Sequence, residues 1–383
     1  MSLDFDAAEE RYAGSTDGTV GIEEELQLLD PATLDLVPRY EELRDAGQAV
    51  PLLAEAIAGE LISSEIEIRS GKGDDVHAAI AAQREVRREL FALAAAHGVG
   101  LGATGTHPWA DYREQPNIDT EHYRRVVEGL QYVARRNNTW SLHVHVGVRD
   151  LDRAVRVCDR LRGVLPTLLA ISASSPFLDA RDAGLHSART QAFTRTFPRC
   201  GVPDAFGSWR AFRDYLELLV RTGSIVEYTQ VWFSVRPHLA FGTVEVRICD
   251  AQVTAQEGEA LAQLITACVL QAARDLDEGV PFEDPAPRLV EENLWRAIRH
   301  GMDGELLDLD RGELRPARAA LEGLLAWTAP VRAEARIDPV FPERNGAQRQ
   351  RRMLAAGAGM REVFEAAVAE TAATYAPQEA RTT

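Results

Sequence analysis

The chain has 383 residues, 45% of them hydrophobic, which is enough for one large core or two intimate ones. Its 59 acids against 42 bases leave a net charge of −17, which argues against nucleic acid or an anionic membrane as a partner. The four cysteines (Cys158, Cys200, Cys249, Cys268) stand far apart without a CxxC spacing, and no apolar run is long enough to span a bilayer. A zinc ribbon, a disulfide framework and a transmembrane helix are therefore not indicated.

In chain order, residues 1–17 are acidic and lack an apolar stretch, so they read as a flexible arm rather than a signal peptide, and a soluble cytoplasmic chain is expected. "VGIEEELQLLD" (20–30) alternates like a strand. "LISSEIEIRSGKG" repeats the pattern, and "DDVHAAIAAQREVRRELFALAAAHG" then reads as a helix stopping at Gly98. "GVGLGATGTHP" (98–108) is glycine-rich but follows a helix and carries no lysine, so it reads as a tight connection before it reads as a phosphate cradle. "SLHVHVGV" is a third strand, and "LDRAVRVCDRLRGVLPTLLAISA" a helix bent near Pro166. "GSWRAFRDYLELLVRTG" runs from a Ser208 cap to Gly223. "VWFSVRPHL" offers Arg236 and His238 ahead of a fourth patterned strand, "GTVEVRICD". Thr254 and Glu257 form a capping box at the head of the next helix. "PFEDPAP" (281–287) is a joint too short to divide domains, and the C-terminal third is mostly helical. The mixture lacks a βαβ rhythm and predicts an α+β fold with an antiparallel sheet. A single domain is expected over 18–375, with a flexible tail at 376–383.

Strand side chains alternate between faces. One face would carry Glu23, Glu25 and Gln27; Ser63, Glu65, Glu67 and Arg69; Ser141, His143 and His145; Thr243, Glu245 and Arg247. The other is apolar, apart from Glu24, for which a partner arginine is the one physical account. A single such strand reads as a half-solvated sheet surface. Four together place several carboxylates on one sheet, where they repel unless cations sit between them. Hard oxygen donors with one or two imidazoles suit Mg²⁺ or Mn²⁺ better than structural zinc. Arginines interleaved with them suggest a nucleoside triphosphate, yet there is neither a P-loop nor a GxGxxG after a strand.

"GIEEELQLLD", "ATGTHPWADYR", "LHVHVG", "ISASSPFLDARDAG", "FPRCGVPDAFGSW", "VEVRICDAQ" and "NLWRAIRHGMDG" occur in this order. Together they resemble the YbdK-type carboxylate–amine ligases, or type 2 glutamate–cysteine ligases, over about residues 18–375. The resemblance implies the fold of glutamine synthetase's catalytic domain, a curved antiparallel sheet of about six strands with helices on its outer side. It also implies ATP-dependent joining of the glutamate γ-carboxylate to the amine of cysteine through a γ-glutamyl phosphate, with release of ADP and phosphate, in thiol biosynthesis. The implied cofactors are ATP and Mg²⁺ or Mn²⁺, and the implied partners are small-molecule substrates only. Oligomeric state, a homodimer included, is left open.

Residue by residue, Glu23 and Glu25 resemble the first-strand metal ligands, Glu65 and Glu67 the second-strand pair that completes the metal sites and meets the amine, and Glu245 the late-strand ligand. His143 resembles a metal or nucleotide-phosphate ligand and His145 its substrate-facing neighbour. Arg247 resembles the arginine that stabilises the transferring phosphoryl group, and Arg236 one that binds glutamate or phosphate. Arg247, Glu67 and Arg236 are thus the catalytic candidates, and His143, His145 and Arg247 the nucleotide-binding ones. Two departures bear on pocket shape: Ser141 stands where the family usually has glycine, and Cys200 where a small polar residue is expected.

Other residues admit two readings. Arg296 and Arg299 share a helix face and would either close over phosphate as further nucleotide-binding residues or face solvent. His107 and Trp109 would shape a loop or touch substrate. Arg181 and Asp182 would lie near the pocket or form a surface ion pair. Cys249 would alternate onto the polar face as a small buried residue. From other functional classes, a mononuclear hydrolase or oxygenase using His-x-His and Glu, and a non-catalytic binder on a ligase scaffold, are the alternatives. Within the ligase reading the acceptor could be another amine or amino acid.

Overall fold

The computed structural model describes residues 4–309 and 311–376. Seven strands form the main sheet: β1 (Val20–Leu29), β2 (Ile57–Ala58), β3 (Glu65–Arg69), β4 (Gly100–Gly102), β5 (Ser141–Gly147), β6 (Val235–His238) and β7 (Thr243–Asp250). Their order is β6-β7-β5-β1-β3-β2, with β4 also paired to β1, and every pairing is antiparallel. The α+β class expected from the sequence holds, with seven strands where about six were expected.

Six helices matter to the site: α1 (Phe5–Ala13), α2 (Val76–Ala96), α3 (Leu151–Leu161), α4 (Leu165–Ser172), α5 (Ala255–Asp277) and α6 (Met360–Tyr375). The break between α3 and α4 falls just before Pro166, which takes an early position in α4 where its missing N–H costs nothing. Helices cover one face of the sheet. Ile22, Leu142, Val144, Val146, Val244 and Val246 pack there with α3, α4 and α5, while Leu26, Leu28, Ile66 and Ile68 pack with α2. Burial of these aliphatic side chains, each worth about 1.5–3 kcal/mol, fixes the strand faces and so turns every intervening residue toward the opposite side.

Three expectations change. The flexible arm over 1–17 is not what the described residues form. Asp4 caps α1, and Ala8 and Tyr12 are buried in the main core, because Tyr12 reaches the carbonyl of Thr243 on β7 at 2.6 Å. Residues 1–3 lie outside the described residues, as does the expected tail beyond Ala376.

Cys249 does not continue the alternation of β7. A bulge between Val246 and Cys249 shifts the register, Cys249 pairs with Leu142, and its thiol enters the apolar core, where burial pushes it up to about 12. Glu24, on the core face, meets Arg87 of α2 at 2.5 and 2.7 Å and Gln83 at 2.8 Å. Arg87 also donates to Glu259 of α5 at 3.0 Å, and its guanidinium lies 4.6 Å from the centre of the Tyr375 ring of α6. Three helices thus converge behind one strand residue.

The glycine-rich 98–108 segment is β4 and its exit. A Cβ at Gly102 would lie 2.7 Å from the Gln27 side chain, so glycine here serves close strand approach.

Candidate active site

The face of the sheet opposite the helices lines a cleft of about 650 Å³. Register brings its polar residues together: Glu23 opposes His143 on one side and Arg69 on the other, Glu25 opposes Glu67, and Glu245 opposes His145 and Arg236.

His143 lies at the centre. Its Nδ1 is 3.2 Å from Glu23, and its Nε2 is 2.8 Å from the Ser141 hydroxyl and 3.8 Å from Glu25. Ser141 donates to Glu25 from both its N–H (2.5 Å) and its Oγ (2.6 Å). Ser141, at a position where the resemblance implied glycine, therefore orients a carboxylate, while neighbouring Trp140 packs with Ile62 and Ala251. His145 takes Thr243 Oγ1 on Nδ1 at 3.0 Å and turns Nε2 toward Glu23 (3.4 Å) and Glu245 (3.8 Å).

Two groups of three residues each bring one donor atom within 4.8 Å of one another: Glu23, His143 and Glu245, and Glu25, Glu67 and His143. Carboxylate oxygens with one shared imidazole and no thiolate fit a hard divalent cation such as Mg²⁺ or Mn²⁺. Glu65, expected among the ligands, lines the cleft but belongs to neither group, and its Oε2 is buried without a hydrogen-bond partner among the described residues.

Electrostatics divide these acids. Burial raises the Glu245 carboxyl, but the guanidinium groups of Arg236 and Arg247 overcome it and hold the group well below the usual range. Glu23 is likewise lowered despite burial, by His145 and His143. Glu65 and Glu67 are pushed well above the usual range, first by burial and then by neighbouring carboxylates. Partly buried Glu60, which the sequence reading did not single out, rises to about 7 through burial and the proximity of Glu25. Burial, then Arg247, lowers His143 and favours the neutral imidazole that a cation needs.

The arginines differ in what they have free. Arg236 donates to Glu245 at 2.5 Å and to the carbonyls of Val231 (2.6 Å) and Thr229 (3.1 Å). Its donors are taken up by Glu245 and these carbonyls, and its side chain lines the cleft. Arg247 pairs with Glu245 and reaches toward His143 at 3.5 Å, and its Nε has no hydrogen-bond partner among the described residues. Arg69, on the same face, is bound to Glu67 at 2.5 Å.

Six sequence candidates fall elsewhere. Arg296 pairs with Glu292, and Arg299 donates to the carbonyl of Gly184, so neither reaches the cleft. His107 is buried, with Nε2 2.8 Å from the Leu34 carbonyl and Nδ1 accepting from the Ala110 N–H, while Trp109 packs on Phe364. Asp182 forms a surface pair with Arg351. Cys200 bridges backbone to Trp232, and burial raises its thiol to about 12.

Besides Glu60, the cleft gains Arg11 from α1, Arg189, Tyr123 and Phe241, residues brought in by helices, loops and a turn outside the alternating pattern. Clustered carboxylates for cations beside arginine donors for anions form a site suited to anionic substrates carried with divalent metal. Among the described residues, no helix is long and apolar enough to cross a membrane.

Comparison with known proteins places this geometry. Residues 19–370 match the model of glutamate-cysteine ligase family 2. A relative from Solibacter usitatus named "Putative glutamate--cysteine ligase 2" is 36% identical over 361 residues, covering 92% of this chain and 93% of its own. One of the same name from Sorangium cellulosum is 39% identical over 346 residues, 90% of each chain. In fold, the chain is similar to the glutamate–cysteine ligase of Francisella tularensis in complex with AMP, with a TM-score of 0.67 at 12% identity over 95% of this chain and 90% of that one. It is also similar to a bifunctional glutathione synthetase from Pasteurella multocida, with a TM-score of 0.69 at 13% identity over 97% of this chain, which spans about half (54%) of that longer protein. The fold is therefore that of the glutamine synthetase-like ligases, and by sequence the chain belongs to glutamate–cysteine ligase family 2, a family of ligases.

Proposed function

We propose that the protein joins the γ-carboxylate of glutamate to the amine of cysteine at the expense of ATP. A carboxylate oxygen attacks the γ-phosphorus as the bond to ADP breaks. The amine nitrogen then attacks the acyl carbon, phosphate leaves, and the nitrogen gives up a proton. The observation that carries this reading is the pair of overlapping donor groups, Glu23–His143–Glu245 and Glu25–Glu67–His143, with Arg247 on the same face. Bound Mg²⁺ or Mn²⁺ would neutralise triphosphate oxygens and hold them in line. Arg247 stabilises the charge that develops on the transferred phosphoryl group, with its planar fork anchored by Glu245. Arg236 keeps Glu245 ionised and oriented, and Ser141 does the same for the orientation of Glu25. Family membership supports glutamate as donor and cysteine as acceptor.

The test is nucleotide analysis after incubation with ATP, Mg²⁺, glutamate and a panel of amines and amino acids that includes cysteine. ADP and phosphate should accumulate only in the presence of both substrates. AMP and pyrophosphate would place the chain in another ligase mechanism, and turnover with a different amine would move the acceptor while leaving the chemistry.

A further inference from the structure

The two ends of the cleft differ. One is acid-lined, with Glu60, Glu65 and Glu67, and suits an ammonium group. At the other end, where β6 turns into β7, the lining brings together Phe241, His238 and, from α1 and its cap, Arg11 and Asp4. There the rings of His238 and Phe241 stack, 4.2 Å between centroids and 16° between planes. Burial lowers His238 to about 3, so the stack carries no charge. Phe241 remains 55% exposed, a flat apolar surface on the lip of the cleft.

From this surface the path inward is continuous. The His145 ring meets Phe241 and His238 edge-on, at 5.5 and 5.2 Å. Its Nε2 then faces Glu23 and Glu245 at 3.4 and 3.8 Å, two of the three donors in the first cation group. An exposed aromatic face, an imidazole and a set of cation donors thus follow one another along the cleft. This matches the order of base, sugar and metal-bound phosphates in a nucleotide.

We propose that Phe241 is the platform on which the purine base of the nucleotide stacks, with the phosphates passing His145 toward Glu23, His143 and Glu245. This rests on the ligase reading above and adds the residue that holds the base. The platform is built before ligand arrives. The N–H groups of Phe241 and Gly242 both donate to the His238 carbonyl, at 3.1 and 3.0 Å, and Gly242 takes the φ of +68° that the turn requires. Tyr12 of α1 donates to the Thr243 carbonyl at 2.6 Å, and Ser15, just beyond that helix, donates through Oγ to the Gly242 carbonyl at 2.8 Å, so both back the turn. A surface already rigid loses little entropy on binding.

The test uses calorimetric titration of the full chain with Mg–ATP and, separately, with Mg–tripolyphosphate, which carries no base. Phe241→Ala should weaken ATP by about tenfold or more, the scale of one base–aromatic stack, and leave tripolyphosphate unchanged. Phe241→Trp should restore ATP affinity, with indole fluorescence quenched by ATP and not by tripolyphosphate. ATP affinity unchanged in Phe241→Ala, or equal losses for ATP and tripolyphosphate, would overturn the platform. Wild-type protein that binds neither ligand would overturn the ligase reading and the platform with it.

Discussion

Replacing Arg87 with leucine should cost about 3–5 kcal/mol of folding stability, because it leaves the Glu24 carboxylate buried without a countercharge. Glu24 is 4% exposed and Arg87 2%, so water cannot take over the lost bonds. Two of the contacts of Glu24, at 2.5 and 2.7 Å, go with the guanidinium, and the Gln83 amide at 2.8 Å remains. Glu259 keeps Arg84 at 2.5 and 2.8 Å, so the penalty falls mainly on Glu24. The double variant Glu24→Leu/Arg87→Leu should recover most of the loss, since an apolar pair of similar volume often replaces a buried ion pair at little cost. Urea unfolding of the four proteins in metal-free buffer gives the cycle. Because Glu24 lies between Glu23 and Glu25, the single variant should also raise the Mg²⁺ concentration needed for half-maximal activity. A loss below about 1 kcal/mol for Arg87→Leu, or a double variant as unstable as the sum of the singles, would refute the reasoning.

Arg247→Lys should lower kcat by about 10²- to 10³-fold with ATP binding largely kept, since lysine offers a point charge where a fork is needed; a rise in KM for ATP alone would make Arg247 a ground-state binding residue. Glu23→Gln and Glu25→Gln should each abolish activity while the protein still unfolds cooperatively in urea, and normal turnover at saturating metal would remove β1 from the site. In metal-free buffer, stability should fall as pH rises toward 8. Glu60 has its folded value raised to about 7 from 4.5, so the stability tied to its protonated form is complete below about 4.5 and is lost as pH passes about 7. Urea midpoints in EDTA at pH 5.5 and 8 check this: Glu60→Gln should shrink the difference and saturating Mg²⁺ should offset it, whereas the same difference in wild type and variant would count against it.

What could be read in advance was local. The two-residue period of β1, β3, β5 and β7 is written in each strand, and the faces follow once the aliphatic side is buried, so Glu23, Glu25, Glu67, His143, Glu245 and Arg247 meet as expected. The partner of Glu24 lies 63 residues away on a helix whose own pattern gives no sign that Arg87 points inward. Arg296 and Arg299 share a face, but a shared face does not say which neighbour it meets. Glu60 sits in the irregular link after a two-residue strand, and Phe241 in a turn, where no period exists to place them. Helix α1 escaped because its nine residues are rich in acid, and its anchor is one tyrosine reaching a strand 231 residues on.

The bulge in β7 makes this strand read in two frames. Before it Glu245, and within it Arg247, open onto the cleft; after it, Cys249 enters the core and Asp250 accepts from Ser174, Ser175 and Ser187. Deleting one residue at 247 or 248 would close the bulge, with Val246 still opposite Val144 and Cys249 still opposite Leu142, so the faces beyond it would not change. What it would remove is the doubling itself, two residues set against His143, by which Arg247 lines the cleft while Ile248 still fills the core. In any lineage of such sequences, loss of the extra residue should therefore go with loss of either the cleft arginine or the core aliphatic that follows it.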